Sequence, residues 1–303
     1  MSEKWRGRLA RRPFFPWKSA TLRVAANDRH PGVIRALPVY NRDGGRQKQC
    51  FVLARTACLY SLPTMGELLT LELEQKTLAV RDRLAAAVQE FGRVVYSNSL
   101  GAEAMVLTDI IWTHVPAIDI FSIDTGRLHE ETYEVLEKLQ RRYKRKIRVV
   151  HPDAQALEAL VANQGVNGFY DSLEARLACC RVRKVEPFKR AVAGYGAWVT
   201  GVRREQSATR AQAKPIEWDT DYGLHKVSPL LDWTEEQIWQ YIRTRKLPYN
   251  QLHDRQFPSI GCQPCTRAIQ PGESRRAGRW WWEQPESREC GLHPRVRQVG
   301  AQA

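Results

Sequence analysis

Short apolar runs alternate with amphipathic helical patterns along most of the chain after residue 64. In residues 67–91, for example, the apolar positions recur at helical spacing. The pattern predicts helices at residues 67–91, 105–111, 130–143 and 154–162, around Cys179 and Cys180, and from Thr234 onward. It predicts strands at residues 93–98, 118–123, 147–150 and 197–201. Strands that alternate with helices imply right-handed crossovers. We therefore predict an α/β, Rossmann-like, mainly parallel sheet with helices on both faces, which binds ligands beyond the carboxyl ends of its strands.

Local signals mark where some of these elements begin and end. Thr234 and Gln237 form a Thr-x-x-Gln capping box, which predicts a helix start. Pro187 is expected to end or kink the helix that contains Cys179 and Cys180, because proline has no backbone N–H to donate. Roughly the last 45 residues are rich in turn-forming, aromatic and basic side chains, which predicts a mobile C-terminal tail.

The positive charge of the chain is concentrated near its beginning. Residues 1–64 carry 13 of the 47 Lys and Arg residues and only 3 of the 33 acidic residues. We interpret this segment as a poorly ordered or extraneous extension, with Met65 as a second candidate for the start of translation. The main domain is predicted at residues 65–270 and the tail at 271–303. Because the rest of the chain is nearly balanced in charge, the net charge of +14 does not indicate a nucleic-acid partner.

Apolar runs and cysteine usage both favour a cytoplasmic protein. No run approaches the roughly 20 apolar residues that a membrane-spanning helix needs, and no signal-peptide core is apparent. The seven cysteines are odd in number, which favours thiols and metal ligands over a disulfide framework. We expect no membrane partner, while the sequence leaves open whether the chain forms a homo-oligomer.

Polar residues follow three of the predicted strands. Ser97, Asn98 and Ser99 open a strand-to-helix turn whose backbone N–H groups could bind an anion, although the turn could equally be ordinary. Asp124 ends the next strand, where a carboxylate can hold ribose hydroxyls. Gly201 begins a loop that runs to Arg210 and contains three arginines, suited to phosphate or to plain solvation.

Four cysteines form two close pairs. Cys179 and Cys180 are adjacent, and Cys262 and Cys265 form a C-x-x-C pair. Two such pairs fit a four-thiolate zinc site or a cubane cluster. The adjacent pair reaches one small zinc ion less easily than a larger cluster. A redox dithiol and simple burial remain alternatives.

A further thiol lies near the C-terminus. Cys290 follows a basic and aromatic segment that includes Arg276 and Arg279, and His293 comes three residues later. Cationic neighbours lower a thiol pKa and make it nucleophilic, whereas position alone is also compatible with an incidental surface cysteine.

Together these segments resemble assimilatory adenylyl-sulfate reductases of the phosphoadenylyl-sulfate reductase family, from about Met65 to His293. The resemblance rests on CCRVRKVEP at residues 179–187, GCQPCTR at 261–267, GRWWW at 278–282, ECGLH at 289–293 and IDTGRL at 123–128. It implies an adenine nucleotide alpha hydrolase-like fold. The turn at 97–101 departs from the family's Ser-Gly-rich version at Asn98 and Leu100, so that backbone contacts are expected there rather than side-chain contacts.

The resemblance also implies roles for individual residues. Cys290 would be the nucleophile. The ligands of a [4Fe-4S] cluster would be Cys179, Cys180, Cys262 and Cys265. The residues around the substrate would be Ser97, Asn98, Ser99, Asp124, Gly201, Lys184, Arg210, Arg276, Arg279 and His293.

The implied reaction reduces adenosine 5′-phosphosulfate to sulfite and AMP through an S-sulfocysteine on Cys290. A reduced thioredoxin or glutaredoxin would then release the sulfite. Alternatives are the 3′-phosphorylated substrate, a tRNA-modifying enzyme with a related sheet, and a zinc-stabilised nucleic-acid-binding module. Residues 97–102 lack the Ser-Gly-Gly-x-Asp-Ser turn of the tRNA-modifying class, and the zinc module leaves Cys290 unexplained.

Overall fold

The computed structural model describes residues 65–206, 210–288 and 292. The helices are α1 (Met65–Phe91), α2 (Ala102–His114), α3 (Glu130–Tyr143), α4 (Ala154–Gln164), α5 (Leu173–Cys180), α6 (Glu186–Val192) and α7 (Glu235–Arg245). The strands are β1 (Val94–Ser97), β2 (Asp119–Ile123), β3 (Arg148–Val150), β4 (Ala197–Val199), β5 (Ile216–Asp219) and β6 (Leu224–Val227). All ten helices and strands predicted from the hydrophobic pattern are present among these elements.

The strands form one sheet in the order β3-β2-β1-β4-β6-β5. Neighbouring strands are parallel except for β5, which pairs antiparallel with β6 at the edge. The connections from β1 to β2 and from β2 to β3 run through helices, as parallel pairing requires. The Rossmann-like, mainly parallel sheet predicted from the sequence is therefore confirmed, and the carboxyl ends of its parallel strands lie at one edge.

Alternate residues of the strands pack against helices on opposite faces of the sheet. Val94 and Tyr96 join α1, α2 and α7 in the larger apolar core, whereas Val95, between them, joins Phe188 of α6 on the other face. Because both faces are covered, the central strands read as continuous apolar runs. The predicted coverage on both faces is confirmed.

Two local features differ from the sequence predictions. The antiparallel pair β5 and β6 was not predicted, because its short segments carry charged residues without clear alternation. The helix with the cysteine pair is interrupted before Pro187, by widened π-helical turns at Arg181–Val185. Pro187 itself lies in the first turn of α6, where its missing N–H is tolerated. The predicted interruption exists, but the proline begins a helix rather than ending one.

Some predictions concern residues outside the described ranges. These are the extension at 1–64 and the mobility of the tail, of which the structure describes only 271–288 and 292; Met65 is described, but its role as an initiator is also a prediction. They remain predictions, as do the domain boundaries. Within the described part of the chain, none of the helices combines the length and the apolar character that crossing a bilayer demands.

Candidate functional site

A pocket opens at the carboxyl edge of the sheet, where β1, β2 and β4 end. Eight of the residues predicted to surround a substrate line it: Ser97, Asn98, Ser99, Lys184, Gly201, Arg210, Arg276 and Arg279. Ser97, Asn98, Ser99 and Gly201 lie at the ends of β1 and β4, whereas Arg276 and Arg279 lie in the C-terminal segment. The fold therefore brings together residues that are as much as 182 positions apart in the sequence, Ser97 and Arg279.

The turn between β1 and α2 is shaped by its own asparagine. Asn98 is 2% exposed, its Oδ1 accepts a hydrogen bond from the Leu100 N–H at 2.8 Å, and its Nδ2 donates to Thr108 Oγ1 at 2.8 Å. Leu100 has a left-handed φ of 59°, a region that favours glycine. The side chain of Asn98 thus holds the turn, and the N–H groups at the start of α2 remain available to an anion.

A buried ion pair stabilises the region of this turn. Arg203, 1% exposed, donates from Nε to Glu103 Oε1 at 2.9 Å, and Gln206 donates to the same oxygen. Burial favours a raised pKa for Glu103, but the charge and hydrogen bonds of Arg203 outweigh it and the pKa lies below its ordinary value. Gly201 permits the close approach, because a Cβ there would lie 3.1 Å from Glu103 Cβ. Of the three arginines in this loop, Arg203 is structural.

Basic side chains supply the charge on the rest of the pocket wall. Arg276 donates to the Arg288 carbonyl at 3.0 Å, and Arg275 pairs with Glu235. Among the lining residues that the structure describes, Glu103 is the one carboxylate, and Arg203 already neutralises it. A pocket with this balance attracts an anionic ligand.

Three predicted substrate or catalytic residues are not placed at the pocket wall. The Asp124 carboxylate accepts hydrogen bonds from the Gly126 N–H at 2.8 Å and from Tyr133 Oη at 2.9 Å, and it does not line the pocket. Its geometry holds the turn after β2, whereas contact with ribose stays a prediction. Cys290 and His293 lie outside the described residues.

The two cysteine pairs meet in a second, smaller cavity. Cys179 and Cys180, at the end of α5, line it together with Cys262 and Cys265 from the C-x-x-C segment. All four are free thiols, and all but Cys179 are less than 10% exposed. Within the described residues, no three His, Cys, Asp or Glu side chains were found that could hold a single metal ion.

Positive charge and unused donors surround these thiols. The basic residues on the cavity wall are Arg127, Arg176, Arg183 and Lys184. The N–H groups of Arg183 Nε and Trp280 Nε1 are buried and have no hydrogen-bond partner among the described residues. Unsatisfied buried donors are rare in native proteins, so they indicate an acceptor that the protein itself does not supply. The sulfide atoms of a cluster would be such acceptors.

The thiols in this cavity differ in pKa because their surroundings differ. Burial favours a raised pKa for Cys262, but the Lys184 charge and a 3.2 Å hydrogen bond with Thr125 Oγ1 contribute to a pKa below its ordinary value. Burial and the neighbouring Cys262 raise the pKa of Cys265 to about 12. Lys184 lines both the cysteine cavity and the strand-end pocket, so its charge acts on both.

Several residues of the site were missed from the sequence. His253 and Gln206 line the strand-end pocket, but each lies in a short 3₁₀ helix without a recognisable motif. Arg176 lines the cysteine cavity and lies one helical turn before Cys180, at the i, i+4 spacing that places two side chains on one helix face. That spacing could have identified it.

The fold and the two cavities define a class of protein: an α/β protein with a basic pocket at the carboxyl edge of its sheet and a second cavity lined by four cysteines. Comparison with known proteins then gives the family. Residues 93–268 match the family described as phosphoadenosine phosphosulfate reductase domain. The chain belongs to that family.

Individual relatives agree with this assignment. The adenosine 5′-phosphosulfate reductase of Allochromatium vinosum is 52% identical over 223 residues, which cover 74% of this chain and 87% of that protein. The enzyme of the same name from Burkholderia cepacia is 49% identical over 74% of this chain and 90% of its own. A solved phosphoadenylyl-sulfate reductase from Candida auris, in a phosphate complex, has a TM-score of 0.55 and 25% identity, over 68% of this chain and 98% of that one.

Proposed function

We propose that this protein reduces adenosine 5′-phosphosulfate to sulfite and AMP in sulfate assimilation. The observation that carries the proposal is the junction of a basic strand-end pocket with a four-cysteine cavity, bridged by Lys184. A pocket with this charge suits a nucleotide that carries a phosphate and a sulfate group. Relatives that are 44–52% identical carry the name of this activity.

A [4Fe-4S] cluster is the cofactor that we propose for the four cysteines, which would each bind it as a thiolate. The cavity fits this assignment because its cations offset thiolate charge and because two residues with unused buried N–H donors, Arg183 and Trp280, line it. When bound, the cluster supplies folding energy and an electrostatic field rather than electrons. Lys184 then carries positive charge between the cluster and the substrate pocket.

The chemistry that we propose begins at Cys290. Its thiolate attacks the sulfate sulfur, a sulfur–sulfur bond forms, and the bond from sulfur to the phosphate oxygen breaks. The electron pair leaves with AMP, and Lys184, Arg276 and Arg279 stabilise the phosphate charge that develops. Cys290 is left as S-sulfocysteine. His293, in the same tail, would contact the sulfate oxygens.

A dithiol completes the reaction. One thiolate of a reduced thioredoxin or glutaredoxin attacks the Cys290 sulfur and displaces sulfite, and the second thiol resolves the mixed disulfide to regenerate the Cys290 thiol. The dithiol loses two electrons as sulfur passes from the +6 to the +4 state, so that electrons balance. A thioredoxin-type donor and a cytoplasmic location are parts of this proposal.

Of the two candidate sulfonucleotides, we favour adenosine 5′-phosphosulfate, which has no 3′-phosphate. The relatives cited above are named for it. The Candida auris structure is named for the 3′-phosphorylated substrate, but its identity to this chain is lower. Turnover of both nucleotides by the same preparation decides between them.

The first experiment purifies the protein without oxygen and assays iron, sulfide and activity. We expect about four irons and four sulfides per chain, the content of one cubane. Incubation with substrate but no thiol donor should add the mass of a sulfonate group to Cys290. Cys290→Ser should abolish both the adduct and turnover, whereas Cys58→Ser, at a cysteine that no motif surrounds, should retain both in the 303-residue protein. A colourless protein that binds zinc, or full turnover by Cys290→Ser, would refute the proposal.

A further inference from the structure

A buried ion pair joins the C-terminal segment to α5, the cysteine helix, which ends with Cys179 and Cys180. Arg176 of α5 has a fully buried side chain, and the side chain of Glu283 is 6% exposed. The guanidinium donates from Nε to Oε1 at 2.7 Å and from Nη2 to Oε2 at 2.6 Å. This is a bidentate fork, the strongest and most directional form of such a pair.

The same guanidinium holds more than one group of this segment. Its Nη2 also donates to the Ser287 carbonyl at 2.8 Å, and its Cζ lies 4.8 Å from the centre of the Trp280 ring. Ser287 Oγ donates in turn to Glu283 Oε2 at 3.1 Å. Arg176 therefore holds both the side chain of Glu283 and the backbone carbonyl of Ser287, and its guanidinium lies over the Trp280 ring.

Arg176 also lies next to the four cysteines. Arg176 lines the cavity of the four thiols and lies within hydrogen-bonding reach of Cys180, one helical turn later on the same face. It does not line the strand-end pocket. Its position is therefore between the cysteine centre and the segment that leads to the tail, away from the substrate pocket.

We propose that the Arg176–Glu283 pair is a positioning device that fixes the base of the catalytic tail against the cysteine helix. The inference rests on the proposed function, in which Cys290 is the nucleophile. Cys290 comes three residues after Ser287 in the sequence. Three residues span about 10 Å at most, so an anchored Ser287 restricts the volume that the thiol can search.

Chain statistics give the size of the effect. If the pair breaks, Glu283 and Ser287 lose their attachment to α5, and the bond from Arg276 to the Arg288 carbonyl still holds the far end of the segment. Effective concentration falls roughly as the −3/2 power of tether length, so complete release back to Trp280, ten residues before Cys290 rather than three, sets an upper limit of about six-fold on the loss. The loss should appear in the rate of the covalent step and not in nucleotide affinity, because neither member of the pair lines the pocket.

The test uses the full-length, cluster-containing protein. Glu283→Gln removes the charge of the carboxylate, and Glu283→Asp keeps the charge but shortens its reach, so at least one variant should fold. The matched control is Glu273→Gln, which breaks the bidentate Arg267–Glu273 pair, with distances of 2.7 and 2.8 Å, in the same C-terminal region. That pair is about one-third exposed and makes no contact with Arg176 among those described.

Three quantities are measured for each protein: the single-turnover rate of S-sulfocysteine formation, iron per chain, and substrate affinity in a Cys290→Ser background. The proposal expects a several-fold lower rate in both Glu283 variants, with iron and affinity within two-fold of the parent and a parental rate in Glu273→Gln. It is overturned if the Glu283 variants keep the parental rate, if the rate falls only in step with iron or affinity, or if Glu273→Gln slows the reaction equally. Failure of the proposed function is distinguishable, because the unsubstituted protein would then form no adduct at all.

Discussion

The Arg279 guanidinium lies directly against Gly261, in the space that a Cβ on residue 261 would occupy. Arg279 is 6% exposed, and its Nη1 donates to Ser259 Oγ and to the Ile260 carbonyl at 3.2 Å each. Its Cζ also lies 4.5 Å from the centre of the Trp280 ring. These contacts fix a buried cation at the pocket wall, and its Nε has no hydrogen-bond partner among the described residues. Arg279 is therefore prepared for an anionic ligand.

Gly261→Ala should weaken nucleotide binding through Arg279. The new methyl group overlaps the guanidinium and displaces it from the pocket wall. A hydrogen bond to a charged group contributes about 1.5–3 kcal/mol, which corresponds to a loss of roughly ten- to hundred-fold in affinity for AMP or substrate. Titration calorimetry measures it.

The control for that substitution is Gly223→Ala. Gly223 has a positive φ of 68° and no atom within 4 Å of the added Cβ, so the change costs backbone strain without touching the pocket. Its nucleotide affinity should equal that of the parent. Equal affinities of Gly261→Ala and the parent would show that Arg279 does not depend on this glycine.

Asn98→Ala should open the turn between β1 and α2. It leaves the Leu100 N–H without its acceptor and removes the donor to Thr108 Oγ1, which still donates to the Ala104 carbonyl, a loss of about 1–3 kcal/mol in the free energy of unfolding. Since Leu100 has a left-handed backbone that this hydrogen bond stabilises, the turn should relax and bind phosphate less tightly.

The chain contains a matched control for Asn98. The Asn250 Oδ1 accepts from the Leu252 N–H at 3.0 Å, and its Nδ2 donates to Thr132 Oγ1 at 3.0 Å, so the two asparagines make equivalent bonds. Asn250→Ala should cost similar stability in urea unfolding but preserve nucleotide affinity better. A parallel loss of affinity in both variants would contradict a specific role for the turn at Asn98.

The sequence predicted most of the fold because burial on both faces imposes long, regular patterns. Helix α3 was predicted at its observed bounds, since its apolar stripe is clean, and the Thr234 capping box is present with both of its hydrogen bonds. The β5–β6 pair was missed, because cross-strand pairs such as Lys226 with Glu217, at 2.8 Å, stabilise it without a hydrophobic pattern.

The site was predicted less completely than the fold, for a different physical reason. Motif spacing identified the cysteine pairs, because ligands of one centre recur at short intervals. Motif spacing could not show that Arg203, one of three arginines in a loop, forms an ion pair with Glu103, which lies 100 residues earlier. Nor could it show that Asp124 turns inward to Gly126 and Tyr133. Such partnerships depend on tertiary distances alone.

Glu103→Ala should strongly destabilise the protein. It leaves the buried Arg203 with only the half-exposed Glu205 as an ionic partner. Removal of one member of a buried pair typically costs about 3–5 kcal/mol, because the remaining charge stays desolvated. Urea unfolding under anaerobic conditions measures the loss. Glu205→Ala, at the exposed end of the same guanidinium, should cost about 1 kcal/mol or less; equal losses in the two variants would contradict the importance of burial.

The stability of the protein should fall in mild acid partly because of His253. Burial lowers the pKa of His253 and outweighs the nearby carboxylates of Glu103 and Asp254 and the backbone of Phe257, which act in the opposite direction. Its Nε2 is buried without a partner among the described residues, and its ring packs 5.2 Å from that of Trp239. The folded state therefore holds this histidine neutral, whereas the unfolded chain protonates it near pH 6.5.

Because the unfolded state binds the additional proton, the stabilising contribution is fully present above about pH 6.5 and is lost as the pH falls toward the lowered pKa of the folded state. Between pH 7.5 and 5.5 the parent should lose more unfolding free energy than His253→Gln, which cannot be protonated. The difference is limited to about 1.4 kcal/mol, the value of one pH unit below the free pKa. Urea midpoints of both proteins at the two pH values measure it. An equal or smaller loss in the parent would show that His253 is not held neutral by burial.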